Sequence, residues 1–154
     1  MALVFGRVPF FLYGGIIMLQ LYSDGLTVAG GAAVPLNNIT YSKGSCATHL
    51  APATISLNKR GVYIIRCDAY GSVSAAGDFG IQIAVNGTPR LDAINITTAE
   101  TGDLASVSTE CLVVVAQSDC PCNYTASATT VQIINPTEVE ATDAHYNVTV
   151  SKLC

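Results

Sequence analysis

The chain has 154 residues and a mass of 16.0 kDa, enough for one domain that folds without needing a metal or a disulfide framework. Half of its residues are hydrophobic, 12% are charged and none is Trp, which is a β-rich composition with a sparsely charged surface suited to contact with other subunits. A net charge of -4, with seven Lys plus Arg that are nowhere clustered, excludes nucleic acid as the partner.

Residues 1–17 carry one positive charge, at Arg7, and open an apolar run from Val8 to Leu19. Pro9 and Gly14-Gly15 interrupt that run and no small-x-small cleavage site follows it directly, which argues against a signal peptide. It is also too short and broken to span a bilayer, which takes ~20 continuous apolar residues. The expectation is an apolar anchoring arm over 1–17, with Val4, Phe5, Val8, Phe10, Phe11 and Leu12 as its contact residues, followed by a single domain over 18–154.

Beyond the arm the chain reads as short strands, expected at 16–22, 38–42, 45–49, 54–57, 62–70, 79–85, 89–97, 104–116, 129–135 and 145–153. In the sixth, Phe79, Ile81, Ile83 and Val85 share one face and Gly80, Gln82 and Ala84 the other, the period-two pattern of a strand with one buried side. Asn86-Gly87 then supplies two residues that tolerate positive φ, so a tight hairpin is expected there. Breaks are expected at Ser23-Asp24-Gly25, Gly30-Gly31, Lys43-Gly44, 71–78, 99–103, 118–127 and 136–143. Strands at this spacing predict an all-β, antiparallel two-sheet sandwich of the jelly-roll kind. Without Trp, the Cys-Trp-Cys core of an immunoglobulin domain is impossible.

Among six cysteines, Cys67 is in phase with Tyr63 and Ile65 and is expected to be a buried free thiol. Cys120-Pro121-Cys122 lacks the spacing and second pair of a zinc knuckle, so no metal is expected. A disulfide from that loop to Cys111 or Cys154 is the stronger expectation for a protein outside cells. Five Asn-x-Ser/Thr triplets begin at Asn38, Asn86, Asn95, Asn123 and Asn147. Asn86 is explained by its turn, and Asn95 and Asn147 are expected to point outward, opposite Ile94/Ile96 and Tyr146/Val148. With two histidines and no nucleophile motif, phosphate loop or metalloprotease motif, neither an enzyme nor a cofactor is expected. The five aspartates at strand ends, Asp24, Asp68, Asp78, Asp103 and Asp143, lack the spacing of a calcium loop.

Gly61-Val62-Tyr63-Ile64-Ile65 resembles the Gly-x-Tyr strand of the tumour-necrosis-factor and complement globular-head jelly rolls. Phe79 to Gly87 resembles the strand that follows it there, and His145 to Leu153 the closing strand. With Gln20-Leu21-Tyr22-Ser23-Asp24-Gly25, Cys120-Pro121-Cys122 and the Val-x-Lys-Leu ending, residues 20–154 are similar to small proteins of phages and prophages of gut Firmicutes. The resemblance implies a homotrimer, with Tyr63, Tyr70, Phe79 and Tyr146 as candidates for the core or the three-fold axis. No collagen-like Gly-X-Y stalk is present. The expectation is a virion structural protein on the capsid exterior, a head decoration or head-fibre protein held to the major capsid or another virion protein by its arm. One rival is an adhesin tip that binds host or mucosal glycans, with Asn123-Tyr124 as the candidate contact; a second is a secreted, extracellular cytokine-like or complement-like ligand.

Overall fold

A computed structural model describes residues 16–50, 52–116 and 129–153. Its strands are β1 (Ile16–Val28), β2 (Asn38–Ser42), β3 (Ala47–Leu50), β4 (Thr54–Leu57), β5 (Gly61–Val73), β6 (Gly77–Val85), β7 (Thr88–Ala99), β8 (Ala105–Val115), β9 (Thr129–Ile134) and β10 (Ala141–Lys152). They form two five-stranded antiparallel sheets, ordered β2-β1-β10-β5-β8 and β3-β4-β9-β6-β7. This is a two-sheet jelly-roll sandwich, as the alternation and turn residues predict.

Alternation selects the inward faces. On β5 the side chains of Tyr63, Ile65, Cys67 and Ala69 are buried while Arg66 and Tyr70 are exposed, so consecutive residues serve opposite sides. Leu19 and Leu21 of β1, and Tyr146, Val148 and Val150 of β10, complete this sheet's inner face against Phe79, Ile81 and Ile83 of β6. The β6–β7 hairpin turns at Asn86-Gly87 with φ of 51° and 79°, the two positive values of a type I′ turn. Asn86 Oδ1 also accepts from the Thr130 amide at 2.9 Å, tying the turn to β9.

The structure departs from the sequence reading at several points. Ser23-Asp24-Gly25 does not end a strand: β1 runs through it on an irregularity between Ser23 and Leu26, where Gly25 takes a φ of 64°. On β10 a matching irregularity between Thr142 and His145 holds Asp143 at a φ of 47°. The expected 71–78 loop shrinks to 74–76, since β5 continues to Val73 and β6 starts at Gly77. Strand β6 is buried on both faces from Phe79 to Ala84, because it lies inside its sheet and the segment after β9 covers its far side, with Thr137 beside Gly80. The phase of β7 is reversed: Ala93 is buried, whereas Ile94 and Ile96 are 39% and 42% exposed on the outside of an edge strand. Asn95, on the Ala93 side, donates to the Ser108 carbonyl at 2.8 Å and so links the edges of the two sheets instead of pointing away from them.

One polar cluster lies within the fold. Asn135 is 1% exposed; its amide donates to the carbonyls of Val28 and Val139, and its oxygen accepts from the backbone amide and hydroxyl of Thr137. It joins the end of β1 to the β9–β10 connection. Ser23 does similar service, donating to the Pro35 carbonyl and accepting from the Asn37 amide.

Candidate functional site

The outer face of the β2-β1-β10-β5-β8 sheet carries exposed aromatic and aliphatic side chains, among them Tyr22, Tyr70, Leu112 and Val114, in rows set by strand register. Beside β5, Val62 pairs with Val114 of β8, and Ile64 pairs with both Leu112 of β8 and Ser151 of β10, which in turn pairs with Ile17 of β1. Leu112 and Val114 are 49% and 64% exposed. This end of the face is an apolar strip. On the opposite side of the sheet at this end Lys152 pairs with Tyr63, its ammonium 5.9 Å from the centre of the Tyr63 ring.

Further along, the rows turn polar. Arg66 lies between Thr149 and Glu110, and its guanidinium pairs with Asp68 at 3.3 Å. Both partners are well exposed, so the pair adds little to stability. At the far end Asp68 faces Asn147, which faces Tyr22, and Tyr70 faces His145. The His145 imidazole contacts the Asp24 carboxylate and stacks on Tyr70 with ring centroids 4.3 Å apart and planes 11° from parallel. Gln20 donates to Asn147 at 3.3 Å. These groups surround a recess of ≈ 890 Å³ that Ser106, Ser108 and Asn95 close on the β7–β8 side.

The four aromatic residues singled out from the sequence separate. Tyr63, Phe79 and Tyr146 are at most 1% exposed and pack in the core, whereas Tyr70 is 46% exposed on the outer face. Tyr63 donates its hydroxyl to the Lys59 carbonyl at 2.7 Å. The Tyr146 hydroxyl is buried without a hydrogen-bond partner among the described residues, and burial raises its pKa. Cys46, Cys67 and Cys111 are free thiols; burial pushes Cys111 up to about 11 and, with the nearby Asp68 charge, raises Cys67 as well. The arm contacts Val4, Phe5, Val8, Phe10, Phe11 and Leu12, the cysteines Cys120, Cys122 and Cys154, and the Asn123-Tyr124 pair lie outside the described residues. Ile16 and Ile17, assigned to the arm, already pair with Lys152 and Ser151 in β1.

Sequence reasoning missed Tyr22, Asp24, His145 and Asn147 as a group. The signal is the parity of β10, where His145 and Asn147 alternate with buried Tyr146 and Val148. Their neighbours depend on β10 lying between β1 and β5, which alternation does not specify. Among the described residues no cluster of three or more His, Cys, Asp or Glu is placed to hold a metal ion, and no helix is long and apolar enough to cross a membrane.

No protein-family model and no curated protein sequence matches the chain. Solved structures do. The globular domain of a zebrafish complement 1qA protein matches with a TM-score of 0.65 at 8% identity, over 88% of this chain and 96% of that one. Eiger TNF from S. frugiperda matches with a TM-score of 0.56 at 9% identity, over 90% and 94%. The vertex protein P5 of PRD1 matches with a TM-score of 0.54 at 17% identity, over 90% and 98%. At these identities the likeness is one of fold, a jelly roll of the tumour-necrosis-factor and complement-head type.

Proposed function

We propose that this chain is a trimeric, non-enzymatic structural protein of a phage particle, a capsid decoration or head-fibre protein attached by its N-terminal arm. The observation that carries the reading is the apolar strip of Val62, Ile64, Leu112 and Val114 on the outer face of the first sheet. Side chains of this kind, in register on neighbouring strands and left in water, are the composition of a subunit interface. A face that meets a different surface of the next copy closes into a ring, and three copies is the number implied by the likeness to complement and tumour-necrosis-factor heads. The likeness to a vertex protein supports a place on a virion. Burying the arm in a groove of a particle protein contributes about 25 cal/mol per Å² of apolar area, and three arms per trimer multiply that through avidity.

Light scattering on the purified chain is expected to give three times the 16.0 kDa chain mass, and Leu112→Glu with Val114→Glu is expected to give folded monomers. A wild-type monomer overturns the trimer. Mass spectrometry of purified particles should detect the protein, and deletion of residues 1–15, which stops short of β1, should release it; absence from particles overturns the virion role, and attachment unchanged by the deletion overturns anchoring by the arm. The likeness to complement and tumour-necrosis-factor folds favours the second reading, a secreted ligand, which requires the protein free of particles.

A further inference from the structure

The recess at the polar end of the first sheet's outer face has the chemistry of a ligand site. Its volume of ≈ 890 Å³ falls within the ~300–1,000 Å³ usual for small-ligand sites. Two aromatic rings border it: Tyr22 is 43% exposed, and Tyr70 keeps 46% exposure although His145 stacks on it. His145 contacts Asp24 as well as stacking on Tyr70, so the ring pair on β5 and β10 is tied to β1. Around the rings stand amides, hydroxyls and carboxylates, chiefly Asn147, Asp68, Ser106 and Ser108, which offer donors and acceptors at several angles.

This lining selects a ligand class. No lysine or arginine lines the recess among the described residues, while Asp24 and Asp68 do; Arg66 pairs with Asp68 from the next outward position on β5 and His145 contacts Asp24, so the lining offers an anionic ligand no free cation. A purely apolar ligand would strip water from carboxylates and amides without replacing their hydrogen bonds. A neutral sugar ring satisfies both halves. Its C–H face lies on an aromatic ring, and its hydroxyls donate to carboxylates in charge-assisted bonds and exchange bonds with amides.

From this arrangement we infer that the recess is a binding site for a neutral saccharide, with Tyr70 and Tyr22 as stacking surfaces and Asp68 and Asn147 as hydroxyl partners. The site is separate from the proposed self-association strip: Tyr70 is three outward-facing positions along β5 from Ile64. Both lie on the outer face of the first sheet, so the recess takes a sugar in a trimer only where packing at the strip leaves the polar end of that face open.

The test applies the full chain to an array of immobilised neutral glycans ending in glucose, galactose, mannose or N-acetylhexosamines, beside sialylated and sulfated ones. The strongest neutral binder is then titrated in solution by NMR. Neutral glycans are expected to bind, to shift the backbone amides of residues 22–24, 68–70 and 145–147, and to lose about tenfold or more in affinity in Tyr70→Ala and in Asp68→Asn. The Leu112→Glu/Val114→Glu protein is expected to keep its monovalent affinity in solution. Absence of neutral-glycan binding, binding confined to the anionic glycans, or shifts confined to residues elsewhere each overturns the inference. Because the shift map uses the wild-type chain, a misfolded variant does not obscure the result.

Discussion

Asn135 shows how one side chain joins segments far apart in sequence. Its amide and oxygen bind Val28, Thr137 and Val139 together, and at 1% exposure water cannot replace them. Asn135→Ala leaves two carbonyls and an amide without that partner and is expected to cost about 2–4 kcal/mol, read as a lower urea midpoint. Tyr146 is the opposite case. Its hydroxyl is buried and unpartnered among the described residues, so Tyr146→Phe removes a desolvated group while keeping the ring. That variant is expected to equal or exceed the wild type in stability by up to about 1 kcal/mol; a loss larger than that would reveal a partner for the hydroxyl. The sequence marked Tyr146 as core or axis, and burial on β10 makes it core. Asn135 carried no sequence signal, since its partner Val28 lies more than a hundred residues from Thr137 and Val139 in the chain.

The strands follow from alternation, while their ends follow from packing. The chain reads as broken at Ser23-Asp24-Gly25 and at Gly71, yet both places lie within strands, because paired irregularities on β1 and β10 absorb the extra residues. Gly71 is required there by close approach. A Cβ at that position would sit 2.8 Å from Ala144 Cα and 3.2 Å from Phe79 Cε2, so β5, β10 and β6 would all have to move. Gly71→Ala is therefore expected to destabilise by about 1–3 kcal/mol, and calorimetry that shows an unchanged Tm would contradict this packing. The hairpin at Asn86-Gly87 was fully legible, since its two positive φ values depend on those residues alone. The phase of β7 was not. Its most hydrophobic residues, Ile94 and Ile96, face outward, and the small Ala93 faces the core at the sheet's edge.

For the whole molecule, the buried thiols couple stability to alkaline pH. Burial raises Cys67 and brings Cys111 to about 11, so the folded state keeps protons that the unfolded chain loses near the ordinary thiol value of about 8.5. The stabilisation is complete below that value and is lost as pH rises from it through about 11. Urea midpoints are expected to fall across this window, and to fall less steeply in Cys111→Ala. The buried thiols of Cys67 and Cys111 should also resist alkylation at neutral pH while the protein is folded.

The sequence by itself determined the class of architecture: alternation, turn residues and the Gly-x-Tyr and closing strands specify an antiparallel jelly roll, because those signals act over a few residues. Only the tertiary structure decided which outward residues meet. Placing β10 between β1 and β5 brings Asp24, Tyr70, His145 and Asn147 around one recess, and pairing β5 with β8 lines up Ile64, Leu112 and Val114 in one strip. These neighbours are set by strand order and register, which arise from the pairing of residues 48 apart in sequence at Ile64 and Leu112, 75 apart at Tyr70 and His145, and 125 apart at Tyr22 and Asn147.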